Sequence, residues 1–496
     1  MAHILPRAPL RLFEAPIFYP DAHTLAYSEH LLVPSLIGAP LLWLGAPPLV
    51  VSNLLIILGL ALSGWVMCLV INRWTGSMAA GVIAGLLYAF NAHVLTRFPH
   101  VQAQHVEFFP LILYALDRVL AGGKRRDTAL LAAAFILQAL CSNYLLVFCT
   151  FAVAAAAAGR PSDWWGSGRR HVRIELALAA VVIAVVLAPF LWPYYQLSRD
   201  QGLTRSIGEV AAYSAGWRDY LVTGGRLHYA WWSHQFFESR TALFPGITAV
   251  VLAGVALGSG TAFRDVRARM SLAIGILGIA FSFGPGLPGY ATLHQYLPLL
   301  AGIRNAARWG WLGLGAISVL AGFGVAHIER AWLARVGGGT ARVRSWAAVS
   351  VAIGVVASAE AIRAPVGFTP FTRVAPIYDR LAAEPGVVLA EFPFYSENTF
   401  SRNGKYLLNN TRSFTPLVNG YSGFESAAFR ERARTLAGFP SIEALSQLKA
   451  LGVTHVTVHA AEFADRHGGN ALQAVALAPA LELIVEDDGI RLYKVR

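Results

Sequence analysis

Long apolar runs that contain no charged residue place the strongest limit on what this chain can fold into. The clearest covers residues 48–71, where no Asp, Glu, Lys or Arg occurs. A helix of about 20 such residues crosses the hydrocarbon core of a bilayer. Further runs approach or reach that length, some of them short: residues 77–93, 176–195, 244–260, 270–284, 309–327 and 345–359. The sequence therefore indicates a polytopic membrane protein, in which only 14% of residues are charged, against about 25% in soluble domains.

The positive charges between the apolar runs predict which loops face the cytoplasm. One set of alternate loops holds 15 Lys and Arg residues: 72–76, 122–126, 160–175, 261–269 and 328–344. The other set is more than twice as long and holds 10: the N-terminus, 94–107, 196–243 and 285–308. Since cytoplasmic loops carry the positive excess, we expect the first set inside and both chain ends outside.

This topology requires residues 127–159 to cross twice, with an outer turn at Ser142-Asn143-Tyr144, and it gives about ten spans. Residues 108–121 form the weakest span, because Asp117 and Arg118 occupy its inner end. Residues 32–47 are apolar but contain three prolines. We interpret them as an interfacial or re-entrant segment rather than a straight span.

The composition changes after residue 359, where short runs rich in β-branched residues begin to alternate with helical patterns. We predict strands at 387–392, 454–459, 481–486 and 490–495, and helices at 427–437 and 442–451. The predicted architecture is an all-α polytopic membrane domain with a C-terminal extracytoplasmic α/β domain. Its parts are a first outer loop over residues 1–47, a transmembrane domain over 48–361 and the α/β domain over 364–496.

The net charge of +12 does not indicate a nucleic-acid partner, because the basic residues are mostly arginines placed between apolar runs. The three cysteines lie within apolar segments, and no Cys/His spacing typical of zinc occurs, so no metal ligand is predicted. The excess of arginine over lysine and the abundant alanine suggest a bacterial protein. The membrane would then be the inner (plasma) membrane.

Candidate functional residues lie in the segments assigned to the outer face. A carboxylate there can serve as a general base, and arginine can bind a phosphate with two parallel hydrogen bonds. Each candidate also has a purely structural interpretation, as an interfacial anchor, a headgroup contact or a polar loop surface. The candidates are Glu14, Glu29, His30, Arg97, Arg304, Arg308, Tyr19, His100, Gln102 and Trp231.

Several motifs resemble a bacterial family of polytopic membrane proteins, the YfhO-like members of the GT-C-fold glycosyltransferase superfamily. Residues 12–32, with Phe18-Tyr19-Pro20 and Tyr27-Ser28-Glu29-His30, resemble the family's first outer loop. The resemblance covers nearly the whole chain. Its other elements are Arg97-x-x-His100-x-Gln102, the stretch from Gly302 to Arg308, the run 416–424 and Leu451-Gly452-Val453.

The resemblance implies a GT-C-like membrane fold of the type that depends on polyprenyl-phosphate sugars. It implies transfer of the sugar to a lipid or cell-envelope acceptor on the outer face, with inversion. An acidic residue of the first outer loop acts as the base, and arginine supports the leaving lipid phosphate. The residues that fit are Glu29, Glu14 and His30 for catalysis, Arg304, Arg308 and Arg97 for the donor phosphate, and His100, Gln102, Tyr19 and Trp231 for substrate contacts.

Two expectations follow from how this chain compares with the family. Some members of the wider superfamily use a divalent metal ion and others do not, so a divalent metal cofactor stays open. The family also begins with a span that precedes the first outer loop, whereas this chain begins within that loop. We therefore expect a truncated chain that lacks the leading carboxylate and has reduced or no activity.

Two other classes of function stay open at this point. A transporter or flippase of lipid-linked sugars needs ionisable or broken-helix positions at mid-membrane, of which the apolar runs show few. A non-catalytic scaffold would use its outer domain to bind glycans. In each case the expected partners are membrane lipids, and for the enzyme also a polyprenyl-phosphate-linked sugar.

Overall fold

The computed structural model describes residues 1–202, 205–237, 241–334, 340–363, 366–368, 370–371 and 373–496, with residues 340–342 described by backbone alone. The predicted domain boundary at residue 364 lies outside these residues. The chain forms two compact units. The helical unit is Leu31–Pro189 with Thr204–Gly367, and the sheet unit is Met1–His30, Phe190–Leu203 and Phe368–Arg496.

The helices of the helical unit begin immediately after His30. In chain order they are α1 (Leu32–Trp43), α2 (Pro48–Thr75), α3 (Met78–Ala89), α4 (Ala92–Thr96), α5 (Val101–Gln104), α6 (Phe108–Leu120), α7 (Arg125–Ala139), α8 (Asn143–Ala158), α9 (Pro161–Trp164), α10 (Arg170–Gln201, whose last turns belong to the sheet unit), α11 (Ile207–Ala212), α12 (Arg226–Trp231), α13 (Ile247–Gly258), α14 (Thr261–Arg264), α15 (Val266–Ser282), α16 (Tyr290–Tyr296), α17 (Pro298–Ala301), α18 (Gly310–Ala334) and α19 (Thr340–Ala361).

Five helical stretches in the described part of the chain are long and apolar enough to cross a membrane: Pro48–Thr75, Met78–Thr96, Ser167–Gln201, Ala306–Ala334 and Val343–Ala361. Three shorter apolar helices accompany them, namely α1, α8 and α13. The predicted break within residues 127–159 is present, since α7 ends at Ala139 and α8 begins at Asn143. These findings support a polytopic helical membrane protein. The count of about ten spans and the outer position of both chain ends stay predictions.

Glycines bring the membrane helices close together. A Cβ atom at Gly85 of α3 would overlap the Gly64 carbonyl oxygen of α2, and one at Gly278 of α15 would lie 2.6 Å from Leu312 Cβ of α18. Between membrane helices, where lipid is as apolar as the side chains, such close approach supplies the packing energy. Larger residues at these positions would force the helices apart.

A buried carboxylate explains why residues 108–121, the weakest span predicted from the sequence, contain a charged residue. Asp117 of α6 is 6% exposed and binds two guanidinium groups, with Arg160 Nη1 at 2.5 Å and Arg267 Nε at 3.1 Å. Arg267 also donates to the Trp74 carbonyl oxygen at the end of α2. Asp117 thus joins α6, the segment before α9, α15 and α2 through charge-assisted hydrogen bonds.

The sheet unit contains a four-stranded sheet with the order β1-β2-β4-β3. Its strands are β1 (Leu389–Phe392), β2 (His455–His459), β3 (Leu481–Asp487) and β4 (Ile490–Val495), and its helices are α20 (Ile377–Ala383), α21 (Gly404–Asn410), α22 (Ala427–Leu436), α23 (Ile442–Ala450), α24 (Ala460–His467) and α25 (Ala471–Leu477). The first pair of strands is parallel and the other two pairs are antiparallel. The four predicted strands and both predicted helices are confirmed to within two residues at each end.

The turn between β3 and β4 follows from its residues. Asp488 and Gly489 both have positive φ, at 48° and 74°. Two central residues of positive φ give a turn whose twist matches antiparallel strands, and Asp-Gly is a favoured pair for it. The hairpin is therefore encoded locally.

The N-terminal segment pairs with a segment about 400 residues later in the chain. Phe18 N donates to the Asn419 carbonyl oxygen at 3.0 Å, Tyr19 N donates to that of Leu417 at 2.9 Å, and Leu417 N donates to that of Pro16 at 3.1 Å. Leu417 in turn lies beside Leu389 of β1. Both runs that carried the family resemblance are thus parts of one ladder. Residues Met1–His30 belong to the sheet unit. The predicted first outer loop over residues 1–47 stays a prediction.

Gly420→Ala is expected to destabilise this ladder by about 1–3 kcal/mol, the usual cost of overpacking. A Cβ atom there would lie 2.5 Å from Phe18 Cε1, and the Phe18 side chain is completely buried. Hydrogen–deuterium exchange of the intact protein should accelerate in peptides that cover residues 16–20 and 416–421. Gly404→Ala is the matched control, because its Cβ would meet only Tyr421 at an ordinary 3.9 Å. Equal exchange in both variants would refute the prediction.

Candidate functional site

Arg308 is the guanidinium group best placed to receive an anion in the helical unit. It lies in the 3-10 turn Ala306–Trp309 that leads into α18, and its Cζ is 4.3 Å from the centre of the Tyr144 ring. Its Nε is buried without a hydrogen-bond partner, and within the described ranges the side chain forms no ion pair. A buried donor on a charged group is costly to leave unsatisfied. Its surroundings therefore suit a ligand with acceptor oxygens.

Tyr144 positions this part of the site from the start of α8. Its hydroxyl accepts a hydrogen bond from the Asn305 backbone N–H at 3.2 Å. The side-chain oxygens of Asn143 and Asn305 are both buried without a partner. The polar break Ser142-Asn143-Tyr144, predicted only as a turn, thus supplies an aromatic face for Arg308. Sequence reasoning marked the break but missed this role, which depends on a residue more than 150 positions away.

Two further arginines share one carboxylate. Glu209 Oε1 lies 3.5 Å from Arg205 Nη1 and 3.9 Å from Arg304 Nε, and the Arg304 guanidinium lies over the Tyr213 ring at 5.4 Å. These separations exceed the about 2.7–2.9 Å of a strong charge-assisted hydrogen bond, so the pairs are loose. Burial lowers the pKa of Arg205, Arg304 adds to that effect, and Glu209 opposes it.

We call Arg205, Arg304, Arg308, Glu209, Tyr144 and Tyr213 the arginine cluster. Arg205 and Arg304 share the Glu209 carboxylate, and Arg308 lies over Tyr144, so the cluster holds three guanidinium groups and one carboxylate. Sequence analysis identified Arg304 and Arg308 but not Arg205 or Glu209, which lie in a long loop without a recognisable spacing. The cluster can bind an anion such as a phosphate through several donors at once.

The predicted Arg97 and His100 lie on the turn between α4 and α5, and Gln102 lies in α5. The buried Gln104 holds this turn by donating from Nε2 to the carbonyl oxygens of Val94 and Arg97, at 3.2 and 3.0 Å. Arg97, His100 and Arg308 all lie within electrostatic range of the His93 ring. A shared site for Arg97, His100 and Arg308 stays a prediction. Gln102 is partly exposed on α5.

The segment after α5 carries a buried His–Glu contact that the candidate set did not include. His105 Nδ1 lies 2.9 Å from Glu107 Oε1, and both side chains are almost fully buried. Ser63 Oγ of α2 donates to the Gln104 carbonyl oxygen just before this pair. Non-helical backbone at such a position is tolerated because the surrounding helices bury it. Ser63, which also accepts from the Val106 backbone N–H, holds this segment against α2.

The candidates of the sheet unit fall in two places. Glu14 and Tyr19 line the same cleft, together with Asp21. Glu29 and His30 lie where the chain passes Tyr194, whose hydroxyl donates to the Ser28 carbonyl oxygen at 2.8 Å. Trp231, in the helical unit, is 72% exposed and packs against Trp232, as an interfacial anchor would.

His30 is uncharged at neutral pH. It is 3% exposed, its ring packs edge-on against Tyr194, and its Nδ1 is buried without a partner. Burial lowers the pKa of His30 to about 4. Any catalytic role of this residue would therefore begin from the neutral imidazole.

The stability of the protein is expected to fall as the pH drops from 6.5 to 4. Over that range the unfolded chain protonates His30 and the folded chain does not, which costs up to about 3 kcal/mol. The unfolding midpoint of the wild type should therefore fall relative to that of His30→Phe as the pH drops, because only the wild type carries this penalty. His23→Gln, at a half-exposed ring, should keep the wild-type dependence. Parallel curves for wild type and His30→Phe would exclude the effect.

Across the described ranges, no group of three or more His, Cys, Asp or Glu side chains is arranged to hold a metal ion. A divalent metal cofactor stays open.

Comparison with known proteins identifies the fold. No sequence-family profile matches the chain, and no curated protein matches it. The structure is similar to the cryo-EM structure of the arabinofuranosyltransferase AftD from Mycobacteria, with a TM-score of 0.55 over 99% of this chain at 16% identity. The chain has the GT-C fold. It spans 39% of the length of that AftD structure.

Two other solved structures are similar to this GT-C chain at lower scores. The apo oligosaccharyltransferase of Archaeoglobus fulgidus has a TM-score of 0.47 and 12% identity, covering 92% of this chain and 64% of its own. Apo ArnT from Cupriavidus metallidurans has a TM-score of 0.45 and 13% identity, covering 99% of this chain and 91% of its own. The similarity to AftD confirms the GT-C fold implied by the sequence motifs.

Proposed function

We propose that this GT-C chain is a membrane glycosyltransferase that moves a sugar from a polyprenyl-phosphate donor to a lipid or cell-envelope acceptor. The observation that carries the proposal is Arg308, a guanidinium with a buried unpaired Nε and no ion pair among the described residues. Arg304 and Arg205 add positive charge within the same unit. A membrane-anchored phosphate ester is the anionic ligand that such a cluster on a membrane protein suits.

The arginine cluster accounts for the leaving-group half of the reaction. The acceptor oxygen forms a bond to the anomeric carbon, and the bond from that carbon to the phosphate oxygen breaks with inversion. The phosphodiester thereby becomes a phosphomonoester, so the phosphate gains negative charge as the bond breaks. Arg308 and Arg304 stabilise that developing charge more than they stabilise the bound donor, which is what accelerates the step.

The remaining roles are proposals from the sequence motifs. A carboxylate of the N-terminal segment, Glu29 first and Glu14 second, takes the proton of the acceptor hydroxyl. Arg97 is a third phosphate-binding group, and His100 and Gln102 contact the sugar. Placement of the reaction on the outer face of a bacterial inner membrane belongs to the same proposal.

The direct test supplies membranes carrying this chain with radiolabelled polyprenyl-phosphate sugars. Label found in a new glycosidic bond supports the transferase. Label that crosses sealed vesicles without forming a new bond supports a transporter of lipid-linked sugars and refutes the proposal. If several sugars give neither a new glycosidic bond nor movement across the vesicle membrane, the proposal is refuted and a non-catalytic scaffold is favoured.

A further inference from the structure

The sheet unit contains a preformed cleft of about 470 Å³, which lies within the usual range of small-ligand sites. Its polar groups come from Arg11, Glu14, Tyr19 and Asp21, and the rest of the lining is apolar: Ala15, Pro16, Ile17 and Pro416. A concave surface with a few convergent polar groups is the usual form of a binding site.

Backbone pairing fixes the walls of the cleft. The hydrogen bonds between residues 16–19 and 417–419 join one wall to the other. Between the lining residues, Phe18 is fully buried and held at φ 60°, a conformation that costs energy for a non-glycine residue. His23, two residues after Asp21 in the chain, also has a positive φ of 55°. Strain of this kind persists only where surrounding structure enforces it, so the cleft is rigid before any ligand arrives.

Asp21 is occupied by structural contacts. Its carboxylate accepts from Arg432 Nη2 at 2.8 Å, from the Tyr27 hydroxyl at 3.0 Å and from the Ser426 hydroxyl at 3.2 Å. Its charge is therefore compensated within the sheet unit. Asp21 fixes the shape of the cleft rather than supplying free acceptors.

Three other side chains keep hydrogen-bonding capacity for a ligand. Glu14 accepts from His23 N at 3.0 Å and pairs with His23 Nδ1 at 3.1 Å, which uses two of the about four acceptor sites of a carboxylate. Within the described part of the chain, the Tyr19 hydroxyl and the Arg11 guanidinium make no side-chain hydrogen bond or ion pair. The cleft thus offers donors, acceptors and one aromatic ring together.

We propose that this cleft binds a neutral saccharide. Sugars present hydroxyl groups that both donate and accept, beside C–H faces that pack on an aromatic ring such as Tyr19. Of the two lining carboxylates, Glu14 has no guanidinium partner among the described residues, and it disfavours a phosphate or an acidic sugar; the polar groups of Arg11, Glu14 and Tyr19 disfavour a lipid tail. That the saccharide is part of the acceptor rests on the proposed transferase function, whereas binding itself does not.

The test applies the intact protein in lipid nanodiscs to an array of neutral and acidic bacterial oligosaccharides. The strongest neutral ligand is then titrated against variants. Tyr19→Ala and Glu14→Gln should each weaken binding by about tenfold, the loss of one ring contact or hydrogen bond. Tyr19→Phe keeps the ring and should lose less. Arg434→Gln, which removes a surface pair with Glu431, is the control and should bind as wild type does.

Each outcome decides between alternatives. Neutral-saccharide binding that weakens in both cleft variants supports the inference, even if the transfer assay fails and the proposed function falls. No binding of any neutral oligosaccharide, a preference for acidic ones, or equal affinity in all variants would overturn it. Hydrogen exchange over residues 16–20 shows whether a variant has kept the fold, and Tyr19→Phe provides the comparison if Tyr19→Ala has not.

Discussion

Arg308→Gln is expected to lower the rate of sugar transfer by at least about 100-fold, the usual loss when one preorganised donor to a developing oxyanion is removed. The reason is geometric. Arg308 is held over Tyr144, its Nε is buried, and among the described residues it has no carboxylate to neutralise it. Initial rates with a radiolabelled polyprenyl-phosphate sugar measure the effect.

Two comparisons separate charge from geometry at this position. Arg308→Lys keeps the charge but loses the planar group that lies over Tyr144, so it should recover only part of the rate. Arg304→Gln should lower the transfer rate by only about tenfold, because the charge of Arg304 is already partly balanced by its loose pair with Glu209. Arg218→Gln, an exposed arginine over Trp217, should behave as wild type. If folded Arg308→Gln kept more than a tenth of the wild-type rate, the phosphate role of Arg308 would be wrong.

Asp117→Asn is expected to destabilise the helical unit by about 3–5 kcal/mol, the cost of breaking a buried ion pair by removing one partner. The substitution leaves Arg160, whose side chain is 4% exposed, and Arg267 without their shared carboxylate. Unfolding of the protein in detergent, followed by tryptophan fluorescence, measures the change. Replacing Arg160 by Met in the same chain should restore part of the loss, because it removes the buried guanidinium that has lost its Asp117 partner.

Asp163→Asn is the matched control for that experiment. Asp163 also binds Arg160, at 2.6 Å, but it is more exposed, and Asp117 remains to balance the charge. The Asp163→Asn substitution should lower the free energy of unfolding by less than about 1 kcal/mol. Equal destabilisation by the two substitutions would show that Asp117 is not the centre of this network.

The sequence alone determined the elements of this protein. Charge-free runs marked the membrane helices, clustered β-branched residues marked the strands at 454–459 and 490–495, and a polar triplet marked the break before Asn143. These features are readable because hydrophobic period, β-branching and turn residues act over a few neighbouring positions. The motifs were also enough to indicate the GT-C fold.

The tertiary structure decided which distant residues meet. Residues 16–19 pair with 417–419, Arg308 lies over Tyr144, and Asp117 binds arginines 43 and 150 positions away. No local pattern encodes such contacts, and a charged residue's role depends on its partner. In the sequence Asp117 only weakened a predicted span, whereas in the structure it joins several helices through its arginine partners. Glu14 and Tyr19 line one cleft because the N-terminal segment pairs with residues 417–419.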